Sequence, residues 1–319
     1  MKTLTLVSLG ALALAMAACS PGEEPADEMA PPPPQETAPI AGDTEAAEPG
    51  ESETASTMAD EPAGELQLIK LDCGTIEVSD LDIFSVEGDY AGQTDTFTDT
   101  CWLVRHPEGD LLWDLGLPGE LVEDGEQTQD VFTVSLEKTI ADQLLEMGLG
   151  MDDIELVAIS HSHFDHVGQA SDIDPSTTWL VNETEYGFMF PEAGSESEEG
   201  DGQAESQFPA FEALERQTIG DNYDVFGDGS VIIMETPGHT PGHASLLVNL
   251  PETGPVLLTG DLYHREESRE GRRVPSFNSD IEATRASMEA FEARADELGA
   301  MVIIQHEPAD TEDLPDVMR

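Results

Sequence analysis

The sequence predicts an α/β fold in which two β-sheets pack face to face and helices cover their outer faces, so that the layers run α, β, β, α. Three observations lead to this prediction. Short apolar runs typical of strands occupy both ends of the globular part of the chain. Helical patterns lie between and after those runs. No repeat occurs at the spacing of a solenoid, so residues 66–319 are expected to form one domain.

Apolar periodicity places the individual elements. Apolar residues at helical spacing predict helices over residues 133–147 and 281–298. Residues 191–207 are rich in Gly, Ser and Glu and are expected to form a surface loop. Short apolar runs between Gly, Pro and Asp turn signals predict strands. These runs are residues 66–71, 101–105, 110–115, 154–160, 231–235, 244–249, 256–259 and 301–305.

The N-terminal segment has the layout of a secretory signal. A positive start is followed by an apolar run over residues 4–18 that is too short to span a bilayer comfortably. The small residues before Cys19 resemble a bacterial lipobox, in which Cys19 becomes the lipidated first residue; a plain signal peptide cut nearby is the alternative. Residues 1–19 are therefore expected to direct export, and Ser20 favours an outer-membrane lipoprotein that faces the periplasm. The membrane contact would be the lipid on Cys19.

The segment that follows has a different composition. Residues 20–65 hold a run of four prolines and many acidic residues, with no Lys or Arg and almost no large apolar residue. Such a segment cannot bury enough surface to offset its chain entropy. We expect it to act as a disordered acidic tether, extended by proline stiffness and charge repulsion.

The charge balance excludes one class of partner. The chain has 68 acidic and 12 basic residues, a formal net charge of −56. Nucleic-acid binding depends on Lys and Arg that neutralise phosphates, so no nucleic-acid partner is expected. The acidity instead indicates a strongly solvated surface suited to salty surroundings, where salt screens the self-repulsion.

Two cysteines remain in the globular part. Cys73 and Cys101 each lie on or beside a predicted strand. An oxidising compartment would allow them to pair, but two buried free thiols are equally consistent with the sequence. The pairing stays open at this point.

The strongest chemical signal is a cluster of four metal-binding side chains. His161, His163, Asp165 and His166 lie within six positions, directly after an apolar run. Imidazole nitrogens and carboxylate oxygens are the usual ligands of a hydrolytic zinc site. A single histidine is more often a surface or core residue, whereas four such groups at this spacing predict a metal site.

The His-x-His-x-Asp-His motif and the segments after it resemble the metallo-β-lactamase superfamily, and the resemblance covers the chain from about residue 66 onward. It implies a metallo-β-lactamase αββα sandwich as a single catalytic domain. It also implies two divalent metal ions, most typically zinc. The matching later segments are Thr236-Pro237-Gly238-His239, Thr259-Gly260-Asp261 and Ile303-Ile304-Gln305-His306.

Position by position, the resemblance implies a role for each ligand. One metal would be held by His161, His163 and His239, and the other by Asp165, His166 and His306, with Asp261 between them. His243 would support the surrounding loops. The chemistry implied is metal-assisted hydrolysis, in which Asp165 is placed to pass a proton to the leaving oxygen.

Within the superfamily, the chain looks most like the N-acyl-homoserine lactonases. The bridging Asp261 disfavours a true β-lactamase, and the acidity disfavours a ribonuclease. The acidic C-terminus lacks the basic region of glyoxalase II-like thioesterases. The segments that carry the lactonase resemblance are Leu71-Asp72-Cys73-Gly74, Cys101-Trp102-Leu103-Val104-Arg105-His106-Pro107, Leu112-Trp113-Asp114-Leu115-Gly116 and Arg272-Arg273-Val274-Pro275-Ser276-Phe277-Asn278.

The resemblance implies a quorum-quenching lactonase that acts on a small-molecule lactone or ester. One position departs from the pattern: lactonases place a Tyr three residues after the bridging Asp, where this chain has His264, with Tyr263 one position earlier. Either residue is a candidate for contact with the substrate. A glyoxalase II-like thioesterase or broader carboxylic ester hydrolase is the enzymatic alternative. A non-catalytic metal-binding lipoprotein is the alternative from another class.

Overall fold

Two β-sheets stack face to face in the computed structural model of the chain, which describes residues 64–191 and 207–319. The predicted signal peptide, nearly all of the predicted tether and most of the predicted loop 191–207 lie outside the described residues. Within them, no helix has the length and apolar character needed to cross a membrane. All the described residues fall in one compact unit.

The first sheet has nine strands in the order β4-β5-β1-β2-β3-β6-β7-β8, with β14 paired to β1. Its β3, β6, β7 and β8 run parallel, and the other neighbours are antiparallel. The strands are β1 (Gln67–Val78), β2 (Asp95–His106), β3 (Gly109–Trp113), β4 (Gln127–Gln129), β5 (Phe132–Ser135), β6 (Leu156–Ala158), β7 (Thr178–Asn182), β8 (Glu215–Ile219) and β14 (Val317–Met318).

The second sheet has five strands in the order β13-β12-β11-β10-β9, of which only the β12–β13 pair is parallel. They are β9 (Tyr223–Asp224), β10 (Val231–Glu235), β11 (Ala244–Leu250), β12 (Gly254–Leu258) and β13 (Met301–Ile303). The helices are α1 (Leu121–Asp124), α2 (Ile140–Glu146), α3 (Phe164–Val167), α4 (Glu183–Met189), α5 (Pro209–Glu212), α6 (Glu266–Gly271), α7 (Ile281–Leu298) and α8 (Pro308–Thr311).

Three apolar clusters hold the layers together. The central one lies between the sheets, where Trp102 and Trp113 of the first sheet meet Leu246 of the second. A second cluster joins the outer face of the first sheet to α2, α4 and α5. A third joins the outer face of the second sheet to α7 through Met288 and Phe291. The predicted α, β, β, α layering is therefore confirmed.

One predicted helix is shorter than its apolar pattern suggested. Residues 133–135 belong to strand β5, and the helix begins only at Ile140. The β-branched Thr133 and Val134 pair with β1, as such side chains prefer. Thr139 then starts the helix, because its side chain accepts from the backbone N–H of Asp142 while the Asp142 side chain accepts from the backbone of Thr139.

Cys73 and Cys101 form a disulfide, which decides the question that the sequence left open. Their Cα atoms lie 5.8 Å apart. The pairing follows from the register of β1 and β2. Leu71 faces Cys101, and an irregularity between Asp72 and Gly74 places Cys73 next to the same partner strand. Both sulfur-bearing side chains are fully buried.

Replacing Phe291 should test how much the α7 layer contributes. Phe291 is fully buried against the second sheet, so Phe291→Ala should lower the free energy of unfolding by about 3–5 kcal/mol. Glu289→Ala, an exposed position on the same helix, should change it by less than about 0.5 kcal/mol. Denaturant unfolding of both variants would measure this, and equal effects would contradict the packing described.

Candidate metal centre

All seven predicted ligands lie at one edge of the sandwich. The segment from His161 to His166 follows β6, His239 follows β10, Asp261 follows β12 and His306 follows β13. Strands β10, β12 and β13 run in the same direction, so the residues that follow them come out at the same edge of their sheet. Residues distant in sequence therefore meet where the two sheets end.

The first ligand group consists of His161, His163 and His239. Nε2 of His239 lies 3.1 Å from Nε2 of His161 and 2.9 Å from Nδ1 of His163. One carboxylate oxygen of Asp261, Oδ2, lies 3.2 Å from Nε2 of His239 and 3.6 Å from Nε2 of His161. The four side chains point their ligand atoms at a common centre.

The second ligand group consists of Asp165, His166 and His306. The other oxygen of Asp261, Oδ1, lies 3.2 Å from Nε2 of His166 and 2.9 Å from Nε2 of His306. The carboxylate of Asp165 lies 3.8 Å from His166 Nε2 and 3.9 Å from His306 Nε2. Asp261 therefore faces the first group with one oxygen and the second group with the other, which is the bridging arrangement predicted.

These residues fit two divalent cations. Three imidazole nitrogens about 3 Å apart match the roughly 3.3 Å between neighbouring ligands of a tetrahedral zinc with bonds of about 2.0–2.1 Å. Nε2 of His166 is buried and lies 3.2 Å from Oδ1 of Asp261, but it makes no well-directed hydrogen bond to the described residues, although a buried polar atom normally has one. A cation in the second group would satisfy it.

The electrostatics of the two groups agree with this interpretation. Burial, followed by the neighbouring His239, lowers the pKa of His163 to about 4, so its nitrogen is free to bind a metal. Burial acts to lower the pKa of His306 as well, but the carboxylate of Asp261 outweighs it and raises that pKa to about 9. Burial would raise the pKa of Asp261, yet His264 and the ligand histidines hold it well below its ordinary value. The centre thus carries a buried anion that attracts positive charge.

In three of the ligand histidines, the ring nitrogen that points away from the centre, Nδ1, has a polar partner. Nδ1 of His306 donates to the backbone oxygen of Thr98 at 2.8 Å, and Nδ1 of His239 donates to Oδ1 of Asn278 at 2.9 Å. Nδ1 of His166 lies 3.1 Å from the carboxylate of Asp114. Partners of this kind fix the ring orientation and leave the inner nitrogen for the metal.

His243 is not a ligand but supports Asp261. Its Nε2 accepts from the backbone N–H of Asp261 at 2.9 Å, and its Nδ1 donates to the backbone oxygen of Thr236 at 3.0 Å. The sequence resemblance assigned a supporting role to His243, and the contact to Asp261 specifies it.

Sequence reasoning missed Glu185, a buried carboxylate that ties two ligand loops together. One oxygen accepts from the backbone N–H and hydroxyl of Ser162, at 2.9 and 2.7 Å. The other accepts from the hydroxyl of Thr240 at 2.8 Å and the backbone N–H of Gly242 at 3.0 Å. Glu185 therefore fixes the loop of His161 and His163 against the loop of His239. The only sequence signal was a helix-start pattern at Asn182, which does not reveal that the carboxylate turns inward.

Asp114 was also missed as a functional residue. Its backbone lies in the left-handed region at φ 63°, and its carboxylate oxygen Oδ1 accepts from the backbone N–H of Ser160 at 2.6 Å. An Asp directly after a buried strand was the available signal, but the same pattern is common in ordinary turns.

A cavity of about 340 Å³ opens onto the two ligand groups. Asp165, Asp261, His163 and His306 form its floor. Its walls are mostly apolar rings and branched side chains from several distant segments. They are Ile76, Ile83, Phe84, Phe97, Val131, Phe132, Phe164 and Phe277, with Asp130 and His264 completing the lining.

The structure separates the two candidates for substrate contact. Tyr263 is buried in the apolar cluster under α7 and does not line the cavity, and burial together with Glu292 raises its pKa. His264 lines the cavity, but its Nε2 donates to Oδ2 of Asp261 at 3.0 Å. Burial lowers the pKa of His264, against the opposing effect of the Asp261 carboxylate. Of the two candidates, only His264 is placed to meet a molecule in the cavity, and it also holds Asp261.

The sequence of this chain also matches known proteins. Residues 95–306 match the Metallo-beta-lactamase superfamily. The chain is 32% identical over 217 residues to an N-acyl homoserine lactonase of Rhizobium radiobacter, covering 65% of this chain and 81% of that relative. It is 32% identical over 195 residues to an N-acyl homoserine lactonase of Bacillus sp, covering 59% and 72%.

Solved structures show the same fold. An N-acyl homoserine lactone hydrolase with the product N-hexanoyl-L-homoserine at its catalytic metal centre superposes with a TM-score of 0.65 at 24% identity, covering 78% of this chain and 96% of that one. A dizinc quorum-quenching lactonase superposes with a TM-score of 0.59 at 19% identity, covering 80% and 90%.

Glu185→Gln should weaken metal binding by the first ligand group. The amide can accept from only one of the two pairs of donors that Glu185 serves, so the two loops lose part of their anchor. We expect zinc affinity to fall by about 10- to 100-fold, as for other residues that orient ligands. Chelator competition would measure this, with the exposed Glu183→Gln on the same helix as control. An unchanged affinity would contradict the role assigned to Glu185.

Proposed function

We propose that this chain, which belongs to the metallo-β-lactamase superfamily, is a two-metal hydrolase that opens the lactone ring of N-acyl homoserine lactones. The observation that carries the proposal is the pair of ligand groups joined by Asp261 at the floor of an apolar cavity. The activity named for the curated relatives supports the choice of substrate.

The cavity suits a neutral, amphiphilic substrate. Among its described lining residues none is Lys or Arg, whereas Asp130, Asp165 and Asp261 are acidic. A substrate with several carboxylates, such as a glutathione thioester, would find no Lys or Arg side chain in the described lining to pair with the carboxylates that lie away from the metals. An acyl chain finds aromatic rings, and burying it is favourable by about 0.8 kcal/mol per methylene. The lining therefore favours a lactonase over a glyoxalase II-like thioesterase.

The side chains of this cavity divide the work of hydrolysis. His161, His163 and His239 would hold one zinc ion and Asp165, His166 and His306 the other, and ions bound there would supply polarisation of the ester carbonyl and a more acidic water. Asp261 is held between the two ligand groups by His264 and by the backbone contact to His243. Asp165 faces the cavity with its side chain 11% exposed, where it can pass a proton to the leaving ring oxygen.

The aromatic walls position the substrate. Phe164 and Phe277 are 44% and 40% exposed, at the rim of the cavity, while Phe84 and Phe97 are buried deeper. An acyl chain lying against these rings would hold the lactone over the floor and exclude water. A site that only stores or is stabilised by metal needs no such cavity, and structural zinc sites close at four ligands. The open floor therefore disfavours a non-catalytic metal-binding lipoprotein.

The proposal predicts metal-dependent ring opening. Full-length protein loaded with zinc should hydrolyse N-decanoyl homoserine lactone, and His163→Ala should lower kcat/KM by more than about 100-fold because the first ligand group loses a nitrogen. Proton release during ring opening would report both rates. A zinc-loaded protein that leaves the lactone intact would contradict the substrate assignment. Other lactones, esters and thioesters would then be screened.

The chain's net charge of −56, with Asp130 in the cavity lining, predicts discrimination by substrate charge. A homoserine lactone whose acyl chain ends in a carboxylate should have a kcat/KM about tenfold or more below that of the neutral lactone of equal length. Raising the ionic strength from about 0.01 M to about 1 M should bring the two kcat/KM values closer together, because salt screens the repulsion between the protein and the anionic lactone. Steady-state kinetics on both substrates would measure this, and a preference for the anionic lactone would contradict the proposal.

We further propose that the protein is exported and held at the outer membrane, facing the periplasm, by a lipid on Cys19. The supporting observations are the signal-like residues 1–19 and the Cys73–Cys101 disulfide, a bond that persists mainly in oxidising compartments.

Cys19→Ser tests this localisation. The variant cannot carry the lipid, so it should move from the membrane fraction to the soluble fraction of the cell envelope. Fractionation and immunoblotting of both forms would measure it, with Ser20→Ala as a neighbouring control. A wild-type protein found in the cytoplasm would contradict export, and an envelope protein that is soluble in both forms would contradict only the lipid.

A further inference from the structure

The Cys73–Cys101 disulfide packs against the segment that leads from β3 to α1, and this segment is hydrogen-bonded to the turn that carries His166. Cys73 and Cys101 belong to the same buried cluster as Leu115. The backbone oxygen of Cys73 accepts from the N–H of Leu117 at 3.2 Å. Residues 115–117 therefore pack against the disulfide on one side.

Gly116 makes the closest contact. Its backbone lies in the left-handed region at φ 59°, and a Cβ atom there would lie 2.5 Å from Cβ and 2.7 Å from Sγ of Cys73. It would also lie 3.2 Å from Sγ of Cys101. Such distances leave no room for a side chain, so the backbone of Gly116 sits against the disulfide itself.

On its other side, the same segment holds the turn that carries His166. The N–H of Leu115 donates to the backbone oxygen of His166 at 3.0 Å, and the N–H of Gly168 donates to the oxygen of Gly116 at 2.8 Å. The N–H of Gln169 donates to the oxygen of Leu115 at 3.1 Å. The segment after β3 thus lies between the disulfide and the His166 turn and contacts both.

The first ligand group has a different anchor. Its loops are tied together by Glu185, whose carboxylate accepts four hydrogen bonds, donated by Ser162, Thr240 and Gly242. Asp114 reaches both groups, through Ser160 and His166. Leu115 and Gly116, the residues that adjoin the disulfide, bond to the His166 turn.

We propose that the Cys73–Cys101 disulfide is a positioning element for the second ligand group, acting through Gly116 and the His166 turn. This inference rests on the proposed two-metal centre and adds that, apart from the shared Asp114, different residues support the two groups. Loss of the disulfide lowers the metal affinity of the second group, Asp165, His166 and His306. It leaves the metal affinity of the first group, His161, His163 and His239, largely unchanged.

The test measures zinc affinity of full-length protein in two backgrounds that each retain one intact ligand group. In the His239→Ala background the second group remains, and adding Cys73→Ala and Cys101→Ala should weaken zinc binding by about tenfold or more. In the His306→Ala background the first group remains, and the same change should alter affinity less than about twofold. Glu185→Gln is the matched comparison and should show the opposite preference.

Gly116→Ala provides a second route that keeps the disulfide intact. Its Cβ must displace either the disulfide or the segment, so it should also weaken the second group selectively; thermal unfolding of the metal-free variants would verify that each is folded. Equal losses in both backgrounds, or none in either, would overturn the inference. A wild-type chain that binds no zinc would instead contradict the proposed function.

Discussion

The carboxylate of Asp261 is the constraint around which the rest of the centre is organised. Its side chain is nearly fully buried, and an unpaired charge in such a place would cost several kcal/mol or more. Here the two oxygens face the nitrogens of His239 and His161 on one side and of His166 and His306 on the other. The anion is tolerable only because positive charge can gather on both sides of it. Two metal ions shared by a single carboxylate are the arrangement that this geometry accommodates.

The sandwich architecture is what brings this anion and its partners to one place. Ligands follow strands of both sheets, and the strands of the second sheet that carry them run in the same direction. Packing of Trp102 and Trp113 against the second sheet fixes the distance between the two sheet edges. The fold thus supplies the separation at which one carboxylate can reach both ligand groups.

Apart from Asp114, which contacts both sides, different residues lie behind the two candidate ligand groups. Glu185 joins the loops of the first group by four hydrogen bonds, whereas the disulfide and Gly116 lie behind the turn of His166. His264 and His243 hold Asp261 from opposite ends, by its side chain and by its backbone. A buried network of this kind restricts the ligand atoms before any metal arrives, which is the usual condition for a catalytic site.

The sequence by itself pointed to the candidate ligands and to most of the elements. His161, His163, Asp165 and His166 are close in the chain, so their chemistry is a local pattern, and helix 281–298 follows from periodicity alone. Only the tertiary structure decided the pairing of Cys73 with Cys101, the inward turn of Glu185, and the separate positions of Tyr263 and His264. These depend on strand register and on contacts between residues up to about two hundred positions apart, which no local pattern encodes. The aromatic cavity is also decided by the tertiary structure, because Phe84, Phe132 and Phe277 meet only after both sheets are packed.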